Sequence, residues 1–382
     1  MMKEMIFTVM PMFVSLFWTA MLALELHTKD QKKPRLHLLV FMLATTVLYF
    51  GHCVFFNHST DILPLTDTLY CAANLAVYPL YYLYICSMAT RKGHRMLRWL
   101  LLVPALVCSA TVGVLYLMMS ETETQLFFDI YLYGGEHAGL KGLAIQQAMM
   151  HDVCKGFFGL LIIPIFFYGQ FHMKQYKELV NSNYSDVEGK TLTDVHLLLM
   201  VFVATAVMSF IFNIIGRQNL HHSTWLLIVS SMIFSTLIFA IGYIGYRQKF
   251  SIEDIERDEQ RTEDNGTEQT TITELRHRIE QLMEEEQLYL QPNLKIIDLV
   301  QRLGTNRNYV YAAINREKGV SFSEYVNRMR VNYAAQLICE HPERALTEIG
   351  EQAGFSSSTS FYRNFRHYKG VGPREYQNKL NT

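Results

Sequence analysis

Residues 349–365 read Ile349-Gly-Glu-Gln-Ala-Gly-Phe-Ser-Ser-Ser-Thr-Ser-Phe-Tyr-Arg-Asn-Phe365, and the pattern is helix, tight turn, helix. Leu346, Ile349 and Ala353 share one face of the first helix. Gly354 suits a turn that needs a positive φ. Ser356 or Ser357 can cap the second helix by accepting from its free N–H groups. Phe361 and Phe365, four apart, face inward. Ser358, Thr359, Tyr362, Arg363 and Arg366 are left on the outer face. Small polar residues followed by arginines suit the DNA major groove, since small groups permit close approach and Arg can hold guanine O6 and N7 together. Taken alone, the same pattern would also describe an ordinary surface helix.

The surroundings decide between these readings, because the pattern occurs twice. In the first copy Ile296, Leu299, Val300 and Leu303 form the apolar face, Gly304 makes the turn, and Thr305 or Asn306 caps the next helix. Val310 and Ile314 face inward; Arg307, Asn308, Tyr311 and Asn315 face out. A long helix over about 322–340 joins the copies, with Phe322, Tyr325, Val326, Met329, Tyr333 and Leu337 at helical spacing and Pro342 beyond its end. Residues 293–382 carry 13 Lys and Arg against 8 Asp and Glu. The chain as a whole has a net charge of −1, so this basic excess is regional, as expected of a nucleic-acid-binding domain.

The segment from about 275 to 378 resembles the DNA-binding domain of the AraC/XylS family of bacterial transcription regulators. The residues that carry the resemblance are Ile349, Ala353-Gly354-Phe355, Ser357, Phe361, Arg363 and Phe365, then Gly370, Pro373 and Tyr376. The chain has Gly372 and Gln377 where family members usually have Thr and Arg, and Ala312 where a basic residue is common. Glu284–Leu294 is similar to the approach to this domain in membrane-tethered and sensor-fused members. The resemblance implies two recognition helices in successive major grooves, spaced by the joining helix over one DNA turn of about 34 Å. It assigns base reading to Asn308, Tyr311, Ser358, Thr359 and Arg363, and phosphate contact to Arg307, Arg366 and Lys369. It also implies RNA polymerase as a partner.

Upstream, residues 251–290 hold 13 acidic and 4 basic residues. Residues 251–271 read as an acidic flexible linker, with no large apolar side chain over 258–271. From Ile272 the helical period resumes through Leu275, Ile279, Leu282 and Tyr289. The spacing predicts a connecting helix over 272–290 that packs on the domain following it, with a homodimer seam as the alternative.

Residues 1–250 are of another character and hold the long apolar runs. A helical membrane span needs about 20 mostly apolar residues, and seven candidates exist: 5–26, 36–56, 68–89, 99–119, 153–171, 194–215 and 223–246. The first lacks a small-residue cleavage site and reads as a span, not a signal peptide. Basic residues alternate between loops. Lys29, Lys32, Lys33 and Arg35 lie in the first, Arg91, Lys92, Arg95 and Arg98 in the third, and Lys174, Lys177 and Lys190 in the fifth; Arg247 and Lys249 follow the last span. Even-numbered loops carry few. This alternation puts the N-terminus outside a bacterial inner membrane and residues 247–382 in the cytoplasm. Pro11, Pro79, Pro104 and Pro164 fall within spans.

His151, Asp152 and Lys155 cluster at the outer end of the fifth span. They form a candidate ligand site, or an interfacial ion pair with a lysine reaching to the headgroups. Tyr78, Tyr81, Tyr82 and Tyr84 read as aromatic packing, with a pocket lining as the alternative. The 120–152 loop is long enough for structure of its own. The six cysteines include no CxxC pair and read as small buried residues, with no metal site or cofactor indicated. No phosphate-binding glycine loop, nucleophile constellation or kinase motif argues for an enzyme.

The expected fold is therefore all-α: a seven-transmembrane helical bundle followed by a double helix–turn–helix domain. The expected function is a membrane-embedded, sequence-specific regulator that binds double-stranded promoter DNA and contacts membrane lipid. An unknown signal ligand would act through the seventh span and the connecting helix. A constitutive anchor, or a transporter with a fused regulatory domain, is the alternative.

Overall fold

The computed structural model describes residues 2–26, 32–91, 98–215, 224–248, 250–260 and 272–380. The described residues are all-α and divide into two compact units, Met1–Met173 with Leu192–Lys249, and Lys174–Thr191 with Phe250–Thr382. Much of the first and third expected basic loops, including Lys29, Lys92 and Arg95, lies outside the described residues, as do Lys249 and the expected sixth loop.

The first unit contains α1 (Met2–Glu25), α2 (Lys32–Phe56), α3 (Leu63–Ala89), α4 (Val103–Met118), α5 (Glu121–Phe127), α7 (Thr193–Ile215) and α8 (Thr224–Arg247). It also holds α6 (Leu143–Asn183) as far as Met173. Among the described residues, six helical stretches, on α2, α3, α4, α6, α7 and α8, are long and apolar enough to cross a membrane. The stretch Val9–Glu25 of α1 is apolar but shorter. The helices turn large apolar side chains outward, including Leu106, Leu117, Leu160 and Phe167. Aromatic rings fill the inside: Tyr81 packs on Phe41 and Phe202, and Tyr78 on Phe158 and Phe202. The tyrosines of α3 are thus core residues, as their crowding suggested. Pro104 differs from expectation. It sits in the first turn of α4, after a short 3₁₀ turn over Leu100–Leu102, where a missing N–H costs nothing.

The 120–152 stretch folds on itself. Ser120 and Glu123 form a reciprocal cap on α5, and Glu123 also accepts from the Leu143 N–H at the start of α6. A π-helical turn over Phe128–Leu132 follows. Phe127, Phe128, Tyr131, Leu140, Ala144 and Ala148 bury together against Val54 and Leu63.

The second unit contains α9 (Ile252–Gln260), α10 (Ile272–Glu284), α11 (Ile296–Leu303), α12 (Arg307–Lys318), α13 (Phe322–Glu340), α14 (Leu346–Gln352), α15 (Ser358–Lys369) and α16 (Pro373–Leu380). Two cores flank α13. Leu275, Ile279 and Met283 of α10 join Leu299, Val300, Val310, Ile314 and Val326 in the first. Val331, Leu337, Ile349, Phe361 and Phe365 make the second. The connecting helix packs on its own domain as expected but ends at Glu284, because Gln287 takes a left-handed backbone and a 3₁₀ turn follows. Residues 252–260, expected as linker, are helical, since Ile252 and Ile255 give the acidic stretch one buried face. The rest of the expected linker, 261–271, lies outside the described residues.

Gly304 and Gly354 close the two turns with φ of 63° and 85°. They differ in their surroundings. A Cβ on Gly304 would meet open space, whereas one on Gly354 would lie 2.5 Å from the Leu290 carbonyl oxygen. Gly304→Ala is therefore expected to cost about 1–2 kcal/mol, the left-handed penalty alone. Gly354→Ala should cost ~3 kcal/mol or more, because a backbone clash is added. Urea-dependent proteolysis of residues 293–382 within the full chain measures both, and equal losses would contradict the difference.

Candidate nucleic-acid interface

The second helix of each helix–turn–helix copy begins with a side-chain cap. Asn306 Oδ1 accepts from the Tyr309 N–H at 3.2 Å, and Ser357 Oγ from the Ser360 N–H at 3.1 Å. Val310, Ile314, Phe361 and Phe365 are buried, which turns the opposite faces of α12 and α15 to solvent. Asn308 and Tyr311 on α12, and Ser358, Thr359, Tyr362, Arg363 and Arg366 on α15, are exposed. The five residues expected to read bases are therefore accessible on the two second helices.

Among the residues expected at phosphates, Arg366 is exposed, Arg307 is half-buried, and Lys369 donates to Asn332 Oδ1 of α13 at 2.9 Å. Lys369 is thus tethered to the joining helix. A cleft of about 530 Å³ is lined by Tyr362, Arg363, Arg366, Gly370, Val371, Gly372, Arg374 and Glu375. It brings three guanidinium groups to one depression beside the outer face of α15, a fitting place for a phosphate. Arg374 was missed in the sequence because it lies in the tail helix, away from either recognition pattern.

A segment remote in sequence also reaches this surface. Residues 174–191 belong to the second unit, and within it Asn183–Asp186 are buried. The Ser185 N–H and hydroxyl both donate to the Leu294 carbonyl, at 3.0 and 2.7 Å. Its own carbonyl accepts from Asn327 Nδ2 at 2.8 Å and Ser323 Oγ at 3.2 Å, both on α13. Arg330 of α13, 1% exposed, donates to the carbonyls of Tyr289 and Gln291 at 2.7 and 2.8 Å and to Ser185 Oγ at 3.3 Å. Burial pushes its guanidinium down to about 10 while the Asp186 carboxylate opposes that shift, so it stays charged at neutral pH. Tyr184 and Lys295 both donate to Asp258 of α9, at 2.7 and 2.8 Å.

From this anchored segment three side chains touch the starts of α12 and α15. Ser182 Oγ accepts from Arg307 Nη2 at 3.4 Å. Asp186 accepts from the Ser356 hydroxyl, and Glu188 from the Ser357 hydroxyl. Ser357 thus caps α15 with a lone pair and gives its proton to a carboxylate. Two acidic groups stand at the positive end of α15, where an anion is favoured.

In the first unit, the expected cluster of His151, Asp152 and Lys155 is divided. Asp152 and Lys155 do pair, at 3.0 Å, and Asp152 also accepts from the Tyr131 hydroxyl at 2.6 Å and lies 2.8 Å from His137 Nε2. His151 points elsewhere, to a buried contact with Asp67 on α3 at 2.7 Å. Residues at i and i+1 on a helix diverge by about 100°, so adjacency in sequence did not make them one site.

A family model described as a helix-turn-helix domain matches residues 299–379. The Msm operon regulatory protein of Streptococcus mutans serotype c is 27% identical over 88 residues, covering 23% of this chain and 31% of that protein. The melibiose operon regulatory protein of Escherichia coli (strain K12) is 30% identical over 84 residues, 22% of this chain and 28% of that protein. An uncharacterized HTH-type transcriptional regulator of Bacillus subtilis (strain 168) is 32% identical over 84 residues, 22% of this chain and 11% of that protein. The chain spans less than a third of the length of these relatives. No solved structure matches it significantly. With its two helix–turn–helix copies joined by α13, residues 299–379 form an AraC-type helix-turn-helix domain.

Proposed function

We propose that this chain is a membrane-embedded transcription regulator that reads promoter DNA with α12 and α15 and whose DNA surface is controlled through α6. The exposure of all five candidate base-reading residues on those two helices carries the DNA-binding part. The names of the relatives, all regulators, agree with it. Six long apolar helices with apolar outward faces support membrane embedding, and the alternation of basic loops supports a cytoplasmic DNA-binding domain.

The course of α6 supports control. It is a single helix of 41 residues, about 60 Å long at 1.5 Å per residue, twice the thickness of the hydrocarbon core. Near its start are His151, Asp152 and Lys155; just past its end are Ser185, Asp186 and Glu188. In this reading a signal acting on α6 changes the hold of the segment that follows it on the start of α15. In this reading Asp186 and Glu188 occupy the place of DNA phosphates at the α15 N-terminus and oppose DNA electrostatically. A signal that withdraws them favours binding, provided it interacts differently with the two arrangements.

Two measurements test the reading on the full chain in lipid nanodiscs. Arg363→Ala should cost about 1–3 kcal/mol at one base position, whereas Lys369→Ala should weaken binding to every sequence alike. Equal loss on specific and random DNA for Arg363→Ala would refute base reading. Replacing Asp186 and Glu188 together by Ala should tighten promoter binding about tenfold, equivalent to ~1.4 kcal/mol, and more at low salt than at high. Weaker binding would instead make the segment a brace that DNA binding needs.

A further inference from the structure

The buried contact of His151 lies within a larger cluster of donor atoms. Asp67 and Cys71 are one turn apart on α3, His151 and Cys154 lie on α6, and Cys108 on α4. All five are buried, none more than 8% exposed. His151 Nε2 is 2.7 Å from Asp67 Oδ2 and 3.7 Å from Cys71 Sγ. Ligand atoms of Asp67, Cys71 and His151 all lie within 4.8 Å of one another. The Cys154 and Cys108 thiols are buried nearby in the same bundle.

The other side of the imidazole fixes its chemistry. His151 Nδ1 lies 2.9 Å from the Gln147 backbone carbonyl, which can only accept, so Nδ1 carries the proton. In the neutral ring the Nε2 lone pair then confronts the Asp67 carboxylate, which also accepts and is held by the Tyr116 hydroxyl at 2.7 Å. Two acceptors at hydrogen-bond distance in an apolar bundle need a cation between them. A proton would serve the His–Asp pair alone, whereas a metal ion would also use the Cys71 thiol, 3.7 Å from His151 Nε2. A histidine whose second nitrogen is tied to a backbone carbonyl, beside a carboxylate held by a tyrosine, is how ligands of a metal are oriented.

We propose that Asp67, Cys71 and His151 form a binding site for a thiolate-seeking divalent metal of the zinc class. Three donors of the O, S, N type suit a tetrahedral ion with one open position, with bonds of about 2.0 Å to N and O and 2.3 Å to S. Tetrahedral angles at those lengths put N and O about 3.3 Å apart, so the ion would spread Asp67 from His151 and move α6 relative to α3. That consequence rests on the regulator reading; binding of the metal does not.

The test is a Co²⁺ titration of the reduced full chain in detergent, without a polyhistidine tag, followed by Zn²⁺ displacement. One equivalent of Co²⁺ should bind with tetrahedral visible absorption and a thiolate-to-cobalt charge-transfer band, and Zn²⁺ should abolish both. Cys71→Ser, nearly isosteric and checked for native helicity, should lower the charge-transfer band and weaken binding by ~10-fold or more. His151→Gln should weaken it likewise, while Cys339→Ser on the second unit should change nothing. Absence of a saturable site in the wild-type chain would overturn the proposal, as would a site whose spectrum and affinity survive both Cys71→Ser and His151→Gln. DNA binding is not read in this experiment, so its outcome and that of the regulator reading remain separate.

Discussion

The buried guanidinium of Arg330 holds the DNA-binding unit together. It sits near the middle of α13, between the two cores. Its donors are spent on the carbonyls of Tyr289 and Gln291 and on Ser185 Oγ, and its Cζ lies over the Phe355 ring, 5.8 Å from the centroid. A charge so deeply buried is tolerable only when its donors are satisfied. Each partner thereby fixes a different piece: the turn before α11, the turn after α14, and the segment after α6. The joining helix thus sets the placement of both helix–turn–helix copies with the help of a residue 145 positions away in sequence.

The same unit shows two opposed uses of charge. The outer face of α15 and its neighbouring cleft gather Arg363, Arg366 and Arg374, while Asp186 and Glu188 hold the hydroxyls at its start. A helix N-terminus attracts one anion, whether a carboxylate of the chain or a phosphate of DNA. The candidate base-reading face is exposed, and the proposed control through α6 would act at the occupied end. The metal site proposed in the bundle lies on the same helix, so both inferences concern one structural element seen at its two ends.

Local patterns were legible from residues alone. Alternation of Val310 with Ile314 and of Phe361 with Phe365, the turns at Gly304 and Gly354, and the caps at Asn306 and Ser357 all follow from the 3.6-residue period and backbone sterics. The tyrosine packing of α3 and the folded 120–152 stretch were also readable. The failures share a cause. The 252–260 helix was hidden by its acidity, because two buried isoleucines decided it. Pro104 moved to a helix start because the helix begins later than the apolar run. His151, Asp152 and Lys155 were grouped by proximity in sequence, although a helix turns neighbouring side chains apart. One signal was available and unused: Asp67 within an apolar run, one turn from Cys71.

The sequence by itself determined the elements: which stretches are helical, which faces are apolar, and which side chains α12 and α15 present outward. These depend on interactions within a few residues, and the period records them directly. Only the tertiary structure decided the pairings across long separations: Asp67 with His151, Ser185 with Arg330, and Asp186 and Glu188 with the start of α15. Such contacts leave no local trace, since any buried polar group needs a partner but its own neighbours do not say which. The assignment of residues 174–191 to the DNA-binding unit belongs to this second kind, and the proposed control of DNA binding rests on it.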